Sequence, residues 1–127
     1  MLDDKTAENA MQIILHAGDA RVHCMNALKA IEKSDFELAK EEIKLANSEI
    51  VKAHHIQTNT ISGETQGEPS DYSVLFAHAQ DTLMTIYSEI NIAKRMIKIF
   101  EVYDARLAKL EKMEKGNDHE KCTNRIS

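Results

Sequence analysis

The chain has no tryptophan and few aromatic residues of any kind, only 5% of its 127 positions. It has a single proline, Pro69, and four glycines. A β-rich fold needs frequent tight turns, and so little turn chemistry disfavours one. No apolar run reaches the roughly 18 residues a membrane span requires, so nothing here crosses a bilayer as a helix. A concentrated basic patch is also missing. Net charge is −5 with acids and bases interspersed, which makes nucleic acid and anionic lipid poor partners. The opening MLDDKTAENA lacks the basic-then-apolar pattern of a secretory signal. Cys24 and Cys122 form no metal or redox spacing, and free thiols fit a reducing compartment. A cytoplasmic location is the expectation.

What the sequence does contain is helix-forming. Hydrophobic residues make up 43% and charged residues 29%, with Ala, Ile, Leu, Met, Glu and Lys abundant. Such side chains lose little freedom on a helix. The length suits one domain with a modest core, and the expected fold class is all-α with three helices and a tail. In the first segment, from about Thr6 to Lys33, apolar residues from Ala10 and Ile13 to Leu28 and Ile31 recur at spacings of three and four. Gly18 interrupts it, either as a site of close backbone approach or as a merely tolerated residue.

Ser34-Asp35-Phe36-Glu37 reads as a capping box starting the second helix, with Ser34 as N-cap. Apolar positions from Phe36 and Leu38 through Ile43, Ile50 and Ala53 to Ile61 continue it. Residues 62–69, SGETQGEP, hold the clustered Gly and Pro and form the expected loop. Ser70 is the natural N-cap of a third helix of some 35–45 residues. The charged segment after about Asp104 has little to bury, and its last dozen residues are expected to be disordered. Residues 1–104 therefore form the domain, and 105–127 are a helix end followed by a tail.

The third helix carries two apolar faces. At about 100° per residue from Asp81, Leu75, Leu83, Ile86, Ile90, Ala93, Ile97 and Phe100 gather at roughly 100–200° and form a core face. Val74, Ala77, Thr85, Ser88, Ile92 and Ile99 gather within about 40° of Asp81 itself, with His78 and Met96 at about 60°. A monomeric three-helix bundle needs one stripe per helix, so the second stripe reads either as a self-association seam along the third helix or as a wide core face with scattered surface apolars. Carboxylates of Asp81 converging in such a seam would bind protons or recruit a hard cation such as Mg²⁺. A solvated surface Asp is the commoner role of such a residue. His78 lies one turn away, and imidazole is the side chain here able to act as a nucleophile near neutral pH. It could carry a phosphoryl group, with the Gln80 amide donating to a phosphoryl oxygen, or be a structural histidine. His16 and His23, seven apart, could share a face as a metal pair or as nothing. His54 and His55 point about 100° apart and cannot both serve one site.

FAHAQDTLMT (76–85), HAGDAR (16–21), AHHIQT (53–58) and the SGETQGEPSDYSVL stretch (62–75) together resemble the lactose/cellobiose-class IIA components of the bacterial sugar phosphotransferase system. The likeness spans about residues 5–103, with the motifs in order. It implies an antiparallel up-down-up three-helix bundle that trimerises into nine helices. It implies that His78 carries phosphate on Nε2, taken from the phosphocarrier HPr and passed to a cysteine of a IIB component. It also implies that Asp81, one from each subunit, binds a divalent cation, Mg²⁺ by its chemistry, on the threefold axis. Family members commonly carry a second histidine after that Asp, where this chain has Thr82. The sugar, a β-disaccharide of lactose, cellobiose or chitobiose type, is chosen in such systems by the membrane IIC component. Two other readings compete: a two-component histidine-phosphotransfer domain, and a non-catalytic trimeric helical adaptor.

Overall fold

A computed structural model describes residues 4–66 and 74–126, with side chains described within 4–63 and 74–117. These residues form three helices, α1 (Asp4–Glu32), α2 (Phe36–Gln66) and α3 (Val74–Ile126). The all-α expectation is met, with no strand among the described residues. Cross-helix pairs fix the up-down-up course. His16 meets Glu49 and His23 meets Glu42, so α2 runs back along α1. Lys40 near the start of α2 meets Glu101 far along α3, so α3 turns back again.

The core divides its work by residue size. Ala10, Ala17, Ala20, Ala27 and Ala30 of α1 and Ala39, Ala46 and Ala53 of α2 are buried. The two helices thus meet largely over methyl groups, and the bulk comes from Ile13, Leu83, Ile86 and Ile90, the largest fully buried side chains. Each large aliphatic group buried this way contributes about 1.5–3 kcal/mol relative to exposure. Cys24 lies in this core, and burial pushes its thiol pKa up, with the Glu89 charge adding to the effect. A thiol so placed stays protonated and behaves as a small apolar side chain.

The α1–α2 corner differs from the expected capping box. Ser34 has φ 57° and the Asp35 N–H donates to the Ala30 carbonyl at 2.9 Å, while the Ser34 N–H donates to the Ile31 carbonyl at 2.9 Å. This six-to-one and five-to-two pattern is a Schellman ending of α1, with Ser34 in the left-handed position usually filled by Gly. The N-cap of α2 is Asp35, whose Oδ1 accepts from the Leu38 N–H at 3.2 Å. Residue Ser34 cannot both end one helix in that conformation and cap the next, and three residues suffice to reverse the chain.

Other boundaries shift outward. The second helix continues as helix through Gln66, and the expected loop residues 67–69 and the Ser70 N-cap lie outside the described residues. The third helix has 53 residues and runs to Ile126, where the sequence predicts a disordered tail. No proline follows Val74, so nothing compels the helix to stop. At 1.5 Å per residue α3 is about 80 Å long, against roughly 45 Å for its partners. Gly18 is exposed with nothing within 4 Å of a built Cβ, which removes the close-approach reading. Leu38, Ile61 and Phe100, assigned to the buried faces, are exposed at 42%, 39% and 48%, while Phe76 and Ala79 are buried. Leu38 and Ile61 lie near the two ends of α2, and Phe100 lies level with the end of α1, beside Ile31 and Glu32, where the neighbouring helix no longer covers the stripe. No helix among the described residues is long and apolar enough to cross a membrane.

Candidate phosphoryl-carrier site

The first turns of α3 are held by Phe76, Ala79 and Leu83, all buried against α1 and α2. Helical periodicity then sends the residues between them outward. His78 and Asp81 are both exposed, one turn apart on the same side of the helix, about 60° apart around it and ~4.5 Å along it. Gln80 and Thr82 are half-buried. Within the described chain, Gln80 and Asp81 point in different directions, so Gln80 neighbours His78 in sequence without joining the exposed pair.

Two threonines tie the backbone beneath the pair. Thr82 Oγ1 donates to the His78 carbonyl at 2.8 Å, and Thr85 Oγ1 donates to the Asp81 carbonyl at 2.8 Å. Both hydroxyl protons are thus spent inside the helix, a local bond that competes with donation elsewhere. The imidazole faces solvent on a convex helix surface and does not sit in an enclosed cavity. Such an arrangement gives a second protein's reactive group free approach, and it offers little protection from water by itself.

Arg21 of the HAGDAR stretch does not reach this pair. Its Nη2 lies 3.1 Å from Glu89 Oε1 and its Nε 3.3 Å from Glu89 Oε2, a two-point ion pair between α1 and α3. Glu89 is eleven residues beyond His78, roughly 16 Å along α3. The pair rims a cleft of about 240 Å³ walled by Cys24, Met25, Leu28, Ile92 and Met96.

The histidines of α1 are resolved by partners the sequence reading did not foresee. His16 Nδ1 donates to Glu49 Oε2 at 2.7 Å, and His23 Nδ1 to Glu42 Oε2 at 2.7 Å. An ionised carboxylate can only accept, so in each pair the proton sits on Nδ1. The signal was present as matching seven-residue spacings of His on α1 and Glu on α2, visible once the helices are aligned antiparallel. The two histidines therefore serve separate carboxylates and do not form a metal pair. His16, Asp19 and Glu49 do place donor atoms within 4.8 Å of one another, but Glu49 already accepts from His16 and from Lys52 at 3.0 Å. Those bonds, His16 first and Lys52 second, hold the Glu49 carboxyl below its ordinary pKa. His54 and His55 are exposed, and His54 stands edge-on to Tyr87 with ring centroids 6.0 Å apart.

The described residues thus form a three-helix bundle that displays an imidazole and a carboxylate on the open side of its longest helix. Residues 8–101 match the model of the PTS system, Lactose/Cellobiose specific IIA subunit family, and the chain belongs to that family. It is 35% identical over 100 residues to the lichenan-specific phosphotransferase enzyme IIA component of Bacillus subtilis, covering 79% of this chain and 91% of that protein. It is 37% identical over 90 residues to the lactose-specific EIIA component of Staphylococcus epidermidis, covering 71% and 86%. Among solved structures it resembles the cellobiose-specific enzyme IIA of Bacillus anthracis, with a TM-score of 0.75, 33% identity, and coverage of 83% of this chain and 95% of that one. It also resembles the IIA of the Escherichia coli IIA(chitobiose)–HPr complex, with a TM-score of 0.67 and 25% identity over 80% and 99% of the two chains.

Proposed function

We propose that this IIA component is a phosphohistidine carrier that takes phosphate on His78 from HPr and hands it to a IIB cysteine during uptake of a β-disaccharide. The observation that carries the reading is the exposed imidazole of His78 on a firmly packed turn of α3, inside the family-matched residues. Docking by HPr is supported by the chitobiose IIA relative, whose solved structure is a complex with HPr. The lichenan and lactose names of the relatives leave the disaccharide open within one chemical class.

In the transfer, the unprotonated Nε2 of His78 attacks the phosphorus. A P–N bond forms as the bond from phosphorus to the donor breaks, and the donor keeps that electron pair. In the second step a IIB thiolate attacks the same phosphorus and the P–N bond breaks, returning the pair to Nε2. Phosphoryl transfer of this kind asks chiefly for positioning and charge stabilisation. Phe76, Ala79 and Leu83 fix the turn that carries His78, and the exposed setting lets two different proteins reach it in succession. Gln80 serves as a donor to a phosphoryl oxygen only across a boundary with another subunit, given its direction here.

The outer stripe of α3 supports assembly as a homotrimer. Val74, Ile92, Met96 and Ile99 are exposed along it, and the three copies of Asp81 would then converge on the axis. One carboxylate per chain fits a cation only when shared, and Mg²⁺, a hard ion taking oxygen ligands and water, matches that donor set. Bound there it would neutralise the converging charges. In this role the carrier works in the cytoplasm, beside HPr and IIB, and meets the bilayer only through IIC.

The test is incubation with phosphoenolpyruvate, enzyme I and HPr. Wild type gains one acid-labile phosphate per chain and His78→Ala gains none. Equal labelling of the two, or no labelling of wild type, overturns the reading and favours a non-catalytic adaptor. Labelling by a sensor kinase instead of HPr favours a two-component phosphotransfer domain.

A further inference from the structure

The family match ends at residue 101, and a relative of known structure, PtcA of S. mutans, is covered over 99% of its length by 80% of this chain. Beyond the family match on the C-terminal side lies the far end of α3. Lys40–Glu101 is the last contact across helices along α3 among the described ion pairs, and every side chain from Val102 to Asn117 is exposed. A helix in that position has nothing of its own chain to lie on, yet it is not polar all round. Ile99, Val102, Tyr103, Leu107, Leu110 and Met113 are each between 43% and 60% exposed.

These six point one way. At about 100° per residue they all fall within roughly 80° of the direction of Asp81. Glu101, Asp104 and Lys112 fall in the opposite half, with Glu111 near its edge. The apolar face of the overhang is therefore a continuation of the outer stripe that carries Asp81, not of the core face. Phe100, at about 100° on the edge between the two faces, joins Tyr103, Leu107 and Leu110 at spacings of three, four and three, the alternation of a coiled-coil seam.

We infer that residues 100–113 of α3 form a parallel coiled coil with the same segment of other copies of this chain, three-stranded under the trimer reading on which this rests. Charge selects the occupant and its direction. With Phe100 and Leu107 at the first seam position of each heptad, Arg106 and Glu111 flank the seam on opposite sides, five residues apart. That is the spacing at which parallel helices pair a base with an acid of the neighbouring chain. An antiparallel copy sets Arg106 against Arg106 and Asp104 and Glu111 against each other. Within one chain the Arg106 guanidinium already lies 5.8 Å over the Tyr103 ring, shielding the seam while keeping its charge at the edge. The overhang thus lengthens the assembly past the family-matched residues.

The experiment uses the full chain with Leu107→Cys in a Cys122→Ser background, mildly oxidised, with Ala105→Cys on the opposite half of the helix as comparison. The seam predicts rapid disulfide-linked dimers through position 107, limited to two chains in three, and at least tenfold slower linkage through 105. Leu107→Glu with Leu110→Glu is expected to raise the dissociation concentration of the assembly at least tenfold while phosphate uptake on His78 persists. A monomeric mass for wild type by light scattering overturns the trimer and this inference together. A trimeric mass with no preference for linkage at 107 overturns this inference alone, and means that the stripe is free or serves a foreign helix.

Discussion

The inner and outer faces of α3 use similar side chains to different ends. Ile86 and Ile90 are fully buried, whereas Ile92 and Ile99 on the same helix are 54% and 43% exposed. The inner isoleucines close against alanine-lined surfaces of α1 and α2, so position along the helix decides their fate and residue type does not. The outer ones share their face with Asp81 and, to one side, His78. The inner face fixes where His78 and Asp81 stand, and the outer face leaves both open to solvent.

The largest way to break this comparison is Leu83→Ala, which opens a cavity in the inner face and should cost about 2–5 kcal/mol in urea unfolding. Ile92→Ala should leave the stability of the single chain within about 0.5 kcal/mol and weaken assembly instead. Equal losses from the two would erase the distinction. Next comes Asp81→Leu, which removes carboxylates that would crowd one another in a seam. It should keep the trimer, stabilise it by about 1–4 kcal/mol, and abolish axial cation binding, read by light scattering and by calorimetric titration with Mg²⁺. Monomerisation of that variant would count against a charged seam.

Smaller effects sharpen what supports the inner face. Ser34→Gly relieves a left-handed residue at the α1 terminus and should stabilise by about 1 kcal/mol, measured by the urea midpoint. The Glu49 carboxyl, held below its ordinary pKa by His16 and Lys52, binds protons less readily folded than unfolded. It therefore adds stability above the unfolded value near 4.5, which is lost as pH falls through the lower folded value. Glu49→Gln should flatten that acid-side loss. A variant curve parallel to wild type between about pH 3 and pH 6 would show that the pair contributes nothing.

Much of this was legible beforehand, for reasons particular residues show. Ile13, Ala17, Cys24, Ile43, Ile50, Leu83, Ile86 and Ile90 announce their burial by helical spacing, and all are buried. The same arithmetic set His78 and Asp81 about 60° apart and off the core face, and the motif around them pointed to the family that residues 8–101 match. Other features were hidden because they depend on what lies across a helix boundary. Arg21 pairs with Glu89, 68 positions away on a helix that packs beside its own. His16 and His23 became interhelical partners of Glu49 and Glu42 only once α1 and α2 took their register. Local patterns cannot report a partner so distant in the chain.

By itself the sequence determined three helices, most of the face each turns inward, and an imidazole and a carboxylate set off that face, because helical periodicity is local and needs no partner to be read. The tertiary structure decided where Ser34 ends α1, which acids the α1 histidines hold, and how far α3 runs past the bundle. Those outcomes depend on the chain reversing in three residues and on helices of unequal length lying side by side, and neither is written in any single helix.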